Sequence, residues 1–257
     1  MIFNLTQPLI SSVPVLGKDF TWSGSDGTCL VIDDGGGNWR IKFLSSGVFT
    51  PLKDMTIDAF LVGGGAGGGK LDGNYALASG GGGGYTTTQL NISLTAKTAY
   101  QVVIGAGGAP ATTLNTGNGG KTTAFSQTAD GGKEGRRSKK AFGSKSTGGM
   151  GGSGGGWCIM QLATITANDG QSDGGGDGET SGAGQGTTTR EFGEPTGALY
   201  SGGGGAYANT GDKGNGGPGG GASGGESAID NTGGGGGGDA YGGSGIVVIR
   251  KHKEAAA

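Results

Sequence analysis

Residues 57–69 read "IDAFLVGGGAGGG". Six residues with the apolar, aromatic character of a buried strand run straight into a stretch with almost no side chains. The first half needs an oily interior, whereas the second can only pack main chain. Working outward, the same junction recurs in both directions, in "GGGGGYTTTQL" (80–90), "YQVVIGAGG" (100–108), "GGKTTAF" (119–125) and "GGSGIVVIR" (242–250).

The glycine-poor segments read as short strands with period-two alternation. In "WRIKFL", Trp39, Ile41 and Phe43 share one face and Arg40 and Lys42 the other. In "QLNISL", Leu90, Ile92 and Leu94 oppose Gln89, Asn91 and Ser93. Both patterns predict half-buried antiparallel strands. "IDAFLV", "YQVVIG" and "GIVVIR" are apolar on both faces and predict central strands. No segment has a helical period. With "DFTW", "TCLVI", "GVFT" and "KTTAF", these strands suffice for a sandwich of jelly-roll type. Counting up and down along the chain, the glycine excursions leave and re-enter at one end of that sandwich.

The chain has 257 residues, of which 68 are glycine, far above ordinary usage. Slack Gly/Ser linker is the plain alternative, but these runs are interleaved with Ala, Asp, Asn, Pro and Tyr. A slack excursion over 131–244 would also leave the last strand to find its slot unaided. Extended three-residue-per-turn helices have no internal hydrogen bonds and aim every N–H and C=O outward. Buried backbone groups must be paired. Without side chains between them, such helices can approach until each bonds its neighbours, forming a lattice. Glycine loses the most freedom on ordering, so the lattice needs the sandwich to fix its ends. "GGGGGGDAYGGSG" breaks the strict Gly-X-Y period of collagen.

Function classes narrow by chemistry. The net charge of -2 gives no basic excess for nucleic acid. No apolar run has the length of a membrane span, and "MIFNLTQPLISSVPVLG" lacks the pattern of a signal peptide. Cys29, Cys158 and the single His252 do not make a standard zinc site, and one disulfide stays open. "NTGNGGKTT" (115–123) imitates a phosphate loop, but Asn115 replaces the first glycine and strand rather than helix follows Lys121. "DGGGDGE" (173–179) gathers three carboxylates without a calcium repeat, and solvated loop acids are the default. No Ser or Cys has a base partner, so neither catalysis nor a cofactor is expected.

Six cations, Lys133, Arg136, Arg137, Lys139, Lys140 and Lys145, crowd "KEGRRSKKAFGSK". An exposed loop or contact with an acidic surface polymer both fit. Tyr75, Trp157, Tyr200, Tyr207 and Tyr241 stand where little else has a side chain. Rigid amphipathic rings give contact area at low entropic cost, so these five are candidate receptor-binding residues; stapling the lattice edge is the competing role.

The block order from "IDAFLVGGGAGGG" through "GQGTTTREFGEPTGALYSGGGG" to "GGGGGGDAYGGSGIVVIR" resembles the glycine-rich domain proteins of phages and prophages, over about residues 45–250. Tail-fibre adhesins with a polyglycine-II sandwich are a related design. The glycine-rich region of the anaplastic lymphoma kinase receptor is similar in outline, with a tumour-necrosis-factor-like sandwich interrupted by glycine helices. The resemblance implies an all-β fold with almost no α-helix. The antiparallel sandwich would comprise 1–62, 85–104, 121–130 and 245–252, and an inserted polyglycine-II bundle 63–84, 105–120 and 131–244. It further implies a tail-fibre or tail-tip adhesin in the virion, binding a bacterial surface receptor beside fibre or baseplate proteins, with a homo-oligomer such as a trimer left open. A virion part without its own receptor is the alternative. An ice-binding protein would want regular Ala/Thr faces that these runs lack. Residues 1–44 are open between extra sandwich strands and an attachment arm.

Overall fold

A computed structural model describes residues 13–72, 76–112, 116–139, 141–161 and 164–252. Strands β1 (Phe20–Trp22), β2 (Cys29–Gly35), β3 (Asn38–Phe43), β4 (Gly47–Pro51) and β5 (Met55–Val62) precede the first glycine excursion, within which lies β6 (Leu77–Ala78). Next come β7 (Thr86–Leu94), β8 (Tyr100–Val103), β9 (Thr122–Ala124) and β10 (Gln127–Ala129). The long excursion holds β11 (Arg137–Ser138), β12 (Lys145–Ser146), β13 (Cys158–Gln161), β14 (Thr164–Ala167) and β15 (Tyr207–Ala208), and β16 (Ile246–Lys251) closes the series. A single 3-10 turn, Glu191–Gly193, is the helical content of the described residues.

Two five-stranded antiparallel sheets face each other, ordered β1-β4-β8-β9-β10 and β2-β3-β16-β5-β7. Phe20, Phe49, Val102 and Ala124 of the first sheet meet Trp39, Ile41, Phe43, Ile57, Leu61, Val247 and Ile249 of the second. The Phe43 and Phe49 rings contact edge to face, with centroids 5.5 Å apart. Within residues 13–44, β1, β2 and β3 are sandwich strands. Cys29 and Cys158 are both free.

Two readings of the strands need correction. Leu90 leaves the predicted face, because two residues of β7 oppose Asp58 between the Ile57–Ile92 and Ala59–Gln89 pairs. Asn91 takes the extra position at φ 59°, a conformation asparagine tolerates, and Leu90 is turned out to solvent. The second concerns β8, which is central in its sheet yet covered on one face, leaving Gln101 and Val103 exposed. Among the described residues, cover is seen on the other sheet. There the outer residues Phe60, Val62, Ile246 and Val248 are sealed by Phe192 and Tyr200 from a returning strap, residues 190–200.

The glycine runs are ordered. In segment 63–69 successive N–H groups donate to three neighbours in rotation, with a repeat of three residues. Gly63, Ala66 and Gly69 donate to the carbonyls of Tyr85, Gly82 and Ser79; Gly64 and Gly67 to Gly120 and Gly117; Gly65 and Gly68 to Gly243 and Ala240. Its carbonyls accept in the same rotation from Gly132 and Gly135, Gly108 and Ala111, and Gly236 and Asp239. These bonds span 2.7 to 3.0 Å. The segment thus sits at the centre of six rods, three antiparallel donated to and three parallel accepted from. Segment 79–85 repeats the arrangement, donating to 130–136, 153–156 and 233–236. Side chains would forbid it: a Cβ on Gly65 would overlap the Gly234 carbonyl oxygen.

The rods grow from the sandwich. Strands β5, β8 and β10 run out into 63–69, 105–111 and 130–136, while β7, β9 and β16 are entered from 79–85, 117–120 and 241–245. Pairs Ile246–Val62, Val62–Thr86, Val103–Thr123 and Ala129–Thr122 bring these strand ends together at one edge of the base. Sheet register therefore sets the spacing of the rods before any rod–rod bond forms.

Candidate functional site

At the far end of the rods, side chains reappear and three-fold packing ends. The chain returns there to two-fold strand pairing in two small sheets, β11-β6-β15 and β12-β13-β14. Residues 131–244, read from sequence as lattice and loops, thus contain short strands as well. Leu77, Cys158, Ile165, Ala206 and Ala208 form a separate apolar cluster beneath the tip. A buried hydrogen bond of 2.7 Å between the Ser79 and Ser146 hydroxyls ties the two sheets together. Burial pushes the Cys158 thiol up to about 12, so it packs as a small apolar group rather than a nucleophile.

The basic segment is part of this tip. Lys133 and Arg136 lie on rod 130–136; Arg137 begins β11 and pairs with Asp72 at 2.8 Å. Lys139 and Lys145 are exposed, and Lys140 lies outside the described residues. Between them Phe142 is 75% exposed at the turn joining β11 to β12. Gly143, at φ 75°, makes that turn and donates its N–H to the Met160 carbonyl at 2.9 Å. Phe142 is the tip residue that sequence reasoning missed. Its signal was present as a phenylalanine flanked by lysines and followed by glycine.

The five aromatic candidates separate. Trp157 is half-buried beside β13, with the Lys145 ammonium 5.5 Å from its ring centre. Tyr207 is half-buried in β15, and Tyr241 is 57% exposed next to Ala240, whose carbonyl accepts from the Gly68 N–H of rod 63–69. Tyr75 lies outside the described residues. Tyr200 is elsewhere, at the base and 5% exposed. Its ring lies 5.5 Å from that of Phe60, and its hydroxyl donates to Glu191 at 3.0 Å and accepts from Lys42 at 3.0 Å. Burial, reinforced by the Glu191 charge, raises its phenol well above the ordinary range. Tyr200 staples the strap and offers no ring to a partner.

Charges under the strap are paired. Glu191 receives Arg40 at 2.7 Å and Lys42 at 3.6 Å; Arg250 bridges Asp58 at 2.9 Å and Glu194 at 2.6 Å while lying 4.0 Å over the Phe192 ring. Hydrogen bonds to Asp34 and Glu191 raise the Arg40 guanidinium further against the opposing effect of burial. His252, at the end of β16, places Nδ1 2.5 Å from Asp58.

The remaining sequence candidates have local roles. Gly117 and Gly120 accept hydrogen bonds as a lattice rod, and Lys121 pairs with Asp130 at 2.8 Å. Asn115 lies outside the described residues. Asp177 caps its own loop, accepting the N–H groups of Glu179 and Thr180 at 2.9 and 3.0 Å; these bonds hold its carboxyl below the usual range. Asp173 is likewise lowered, by Thr188 first. Among the described residues no group of three His, Cys, Asp or Glu side chains is placed to hold a metal.

The family model described as a glycine-rich domain matches residues 44–252. Comparison with curated proteins gives no match.

Proposed function

We propose that this chain, which belongs to the glycine-rich domain family, is a recognition module of the kind carried at phage tail fibres or tail tips, touching a bacterial surface receptor with its distal end. One observation carries the reading. Rods continuing six strand ends hold, at their far end, a small apolar-cored platform on which Phe142, Lys139 and Lys145 are exposed, with Tyr241 exposed on an adjoining rod. A bonded backbone framework fixes these groups before contact, so little ordering remains for binding to oppose. Large exposed apolar side chains beside cations mark interaction surfaces.

The test is to incubate fluorescently labelled protein with a panel of bacterial cells. A second sample replaces residues 139–145 by a short glycine-serine turn. Labelling of some cell types, lost in the shortened variant and kept in Glu191→Gln at the base, is the expected outcome. Absence of labelling across the panel, or equal labelling by the shortened variant, overturns the proposal. Co-purification with a fibre or baseplate without cell labelling would favour a structural virion part.

A further inference from the structure

On the flank of the tip is a cleft of about 500 Å³ that the lattice itself does not require. Trp157, Asn168, Asp169, Gln171 and Asp177 are among the residues that line it. Its walls are fixed by main chain. Asn168 donates its backbone N–H to the Trp157 carbonyl at 2.9 Å and its side-chain amide to the same oxygen at 3.2 Å. The Gln171 N–H bonds the Gly154 carbonyl of the adjacent rod at 2.8 Å. Asp177 caps its own turn, and the Gly182 N–H ties that loop to Gly155 at 3.1 Å.

What the fixed walls leave unused is a set of polar groups. Among the described residues no hydrogen bond reaches Trp157 Nε1, Asn168 Oδ1, Asp169 Oδ2 or Gln171 Oε1. Asp169 spends its other oxygen on the Asn215 N–H at 2.7 Å, which orients the carboxylate. An indole beside planar amides and a carboxylate suits one ligand chemistry. The face of a pyranose presents C–H bonds of slight positive character to the negative π face of an aromatic ring. Adjacent hydroxyls, each both donor and acceptor, match side chains that can do both.

Competing ligands fit less well. Asp169 and Asp177, two carboxylates against the single Lys145 ammonium beside Trp157, repel phosphates and uronates at close range, and Trp157 and Ala167 give too little apolar wall for a lipid chain. The volume falls within the usual range for small-ligand sites.

We infer that this cleft binds a neutral saccharide, with a sugar ring seated against Trp157 and its hydroxyls met by Asn168, Asp169 and Gln171. This rests on the recognition reading above and gives its receptor a chemical class. Trp157 becomes a contact residue, with the Lys145 ammonium 5.5 Å from its ring centre, whereas Phe142 and Lys139 do not line the cleft.

The experiment follows the Trp157 indole N–H resonance in isotope-labelled protein. Cellobiose, maltose, mannobiose, galactobiose and the β-1,4-linked N-acetylglucosamine disaccharide are titrated separately, with polyglycerol phosphate as the anionic probe. At least one neutral disaccharide should shift the resonance saturably and polyglycerol phosphate should not. For that sugar, Gln171→Ala should weaken binding by about tenfold, and Trp157→Ala, followed through the Gln171 and Asn168 amides, should remove it. Backbone spectra establish that both variants remain folded, with Gln171→Ala the safeguard should Trp157→Ala fail to fold. Silence with every disaccharide, a shift with polyglycerol phosphate alone, or sugar binding unchanged in folded variants overturns the inference. Cell labelling separates the two claims: labelling with silent titrations removes the sugar site and leaves recognition standing, whereas sugar binding without labelling does the reverse.

Discussion

The base and the lattice solve one problem by opposite means. In the sandwich, Phe20, Phe43, Phe49, Ile41 and Leu61 exclude water with side-chain volume, and backbone bonding is confined to each sheet. Rods 63–69 and 79–85 have almost no side chains, and main-chain bonds run in every direction around each axis. The first interior is governed by shape and apolar area and tolerates volume-conserving exchange. The second is governed by distance between backbones, so one methyl group in the wrong place separates several rods at once. The lattice is therefore the less forgiving region.

Breaking the lattice should give the largest effect. Gly65→Ala places a Cβ against the Gly234 carbonyl, where only backbone could yield. The expected loss exceeds about 5 kcal/mol, the range reserved for disrupted interiors, measured as lost cooperative unfolding. Ala66, one residue on, is fully buried with its methyl accommodated, so Ala66→Gly should cost only about 1 kcal/mol. Parity between the two variants would show that the rods are not close-packed.

The sandwich should answer to volume instead. Phe49→Ala removes a ring in contact with Phe20, Phe43 and Phe125, at a cost of about 4 kcal/mol by thermal denaturation. Phe49→Leu should recover most of that, a rescue for which Gly65 has no counterpart. Under the strap, Glu191→Ala leaves Arg40, Lys42 and Tyr200 without their shared acceptor, and the unfolding free energy from denaturant titration should fall by about 2 kcal/mol.

Smaller effects follow from charge and exposure. Burial pushes the Asp58 carboxyl up, but hydrogen bonds from His252, the Asn91 N–H and Arg250 outweigh it and hold the group below its ordinary 3.8. A carboxyl lowered by folding stabilises above its unfolded value, and that stability disappears as pH falls through the folded value. The share of the difference between wild type and Asp58→Asn that the carboxylate carries should therefore be lost as pH falls below about 4, read from unfolding curves across pH. Phe142→Ser should change stability by less than about 0.5 kcal/mol while lowering cell labelling. A large loss of stability would make the tip part of the core.

Much of the base was legible because alternation reports directly on which face is buried. Trp39, Ile41 and Phe43 point inward as their spacing predicts. Leu90 does not, because a one-residue bulge reverses parity without altering composition. The tip was legible only in part: Trp157, Tyr207 and Tyr241 were visible as rings among glycines, but Tyr200 looked the same and is a buried staple. No local pattern distinguishes a ring destined for solvent from one that folds back against Phe60.

From the chain alone came an all-β base, glycine excursions ordered rather than slack, and their gathering at one end. Backbone hydrogen bonding and side-chain periodicity are local enough to be read from residue type. Tertiary structure decided which rod sits at the centre of six, which apolar sheet face receives the 190–200 strap, and which side chains share the distal cleft. Those outcomes depend on contacts between residues up to 210 positions apart, such as Arg40 and Arg250 paired across β3 and β16, and sequence neighbours carry no information about such meetings.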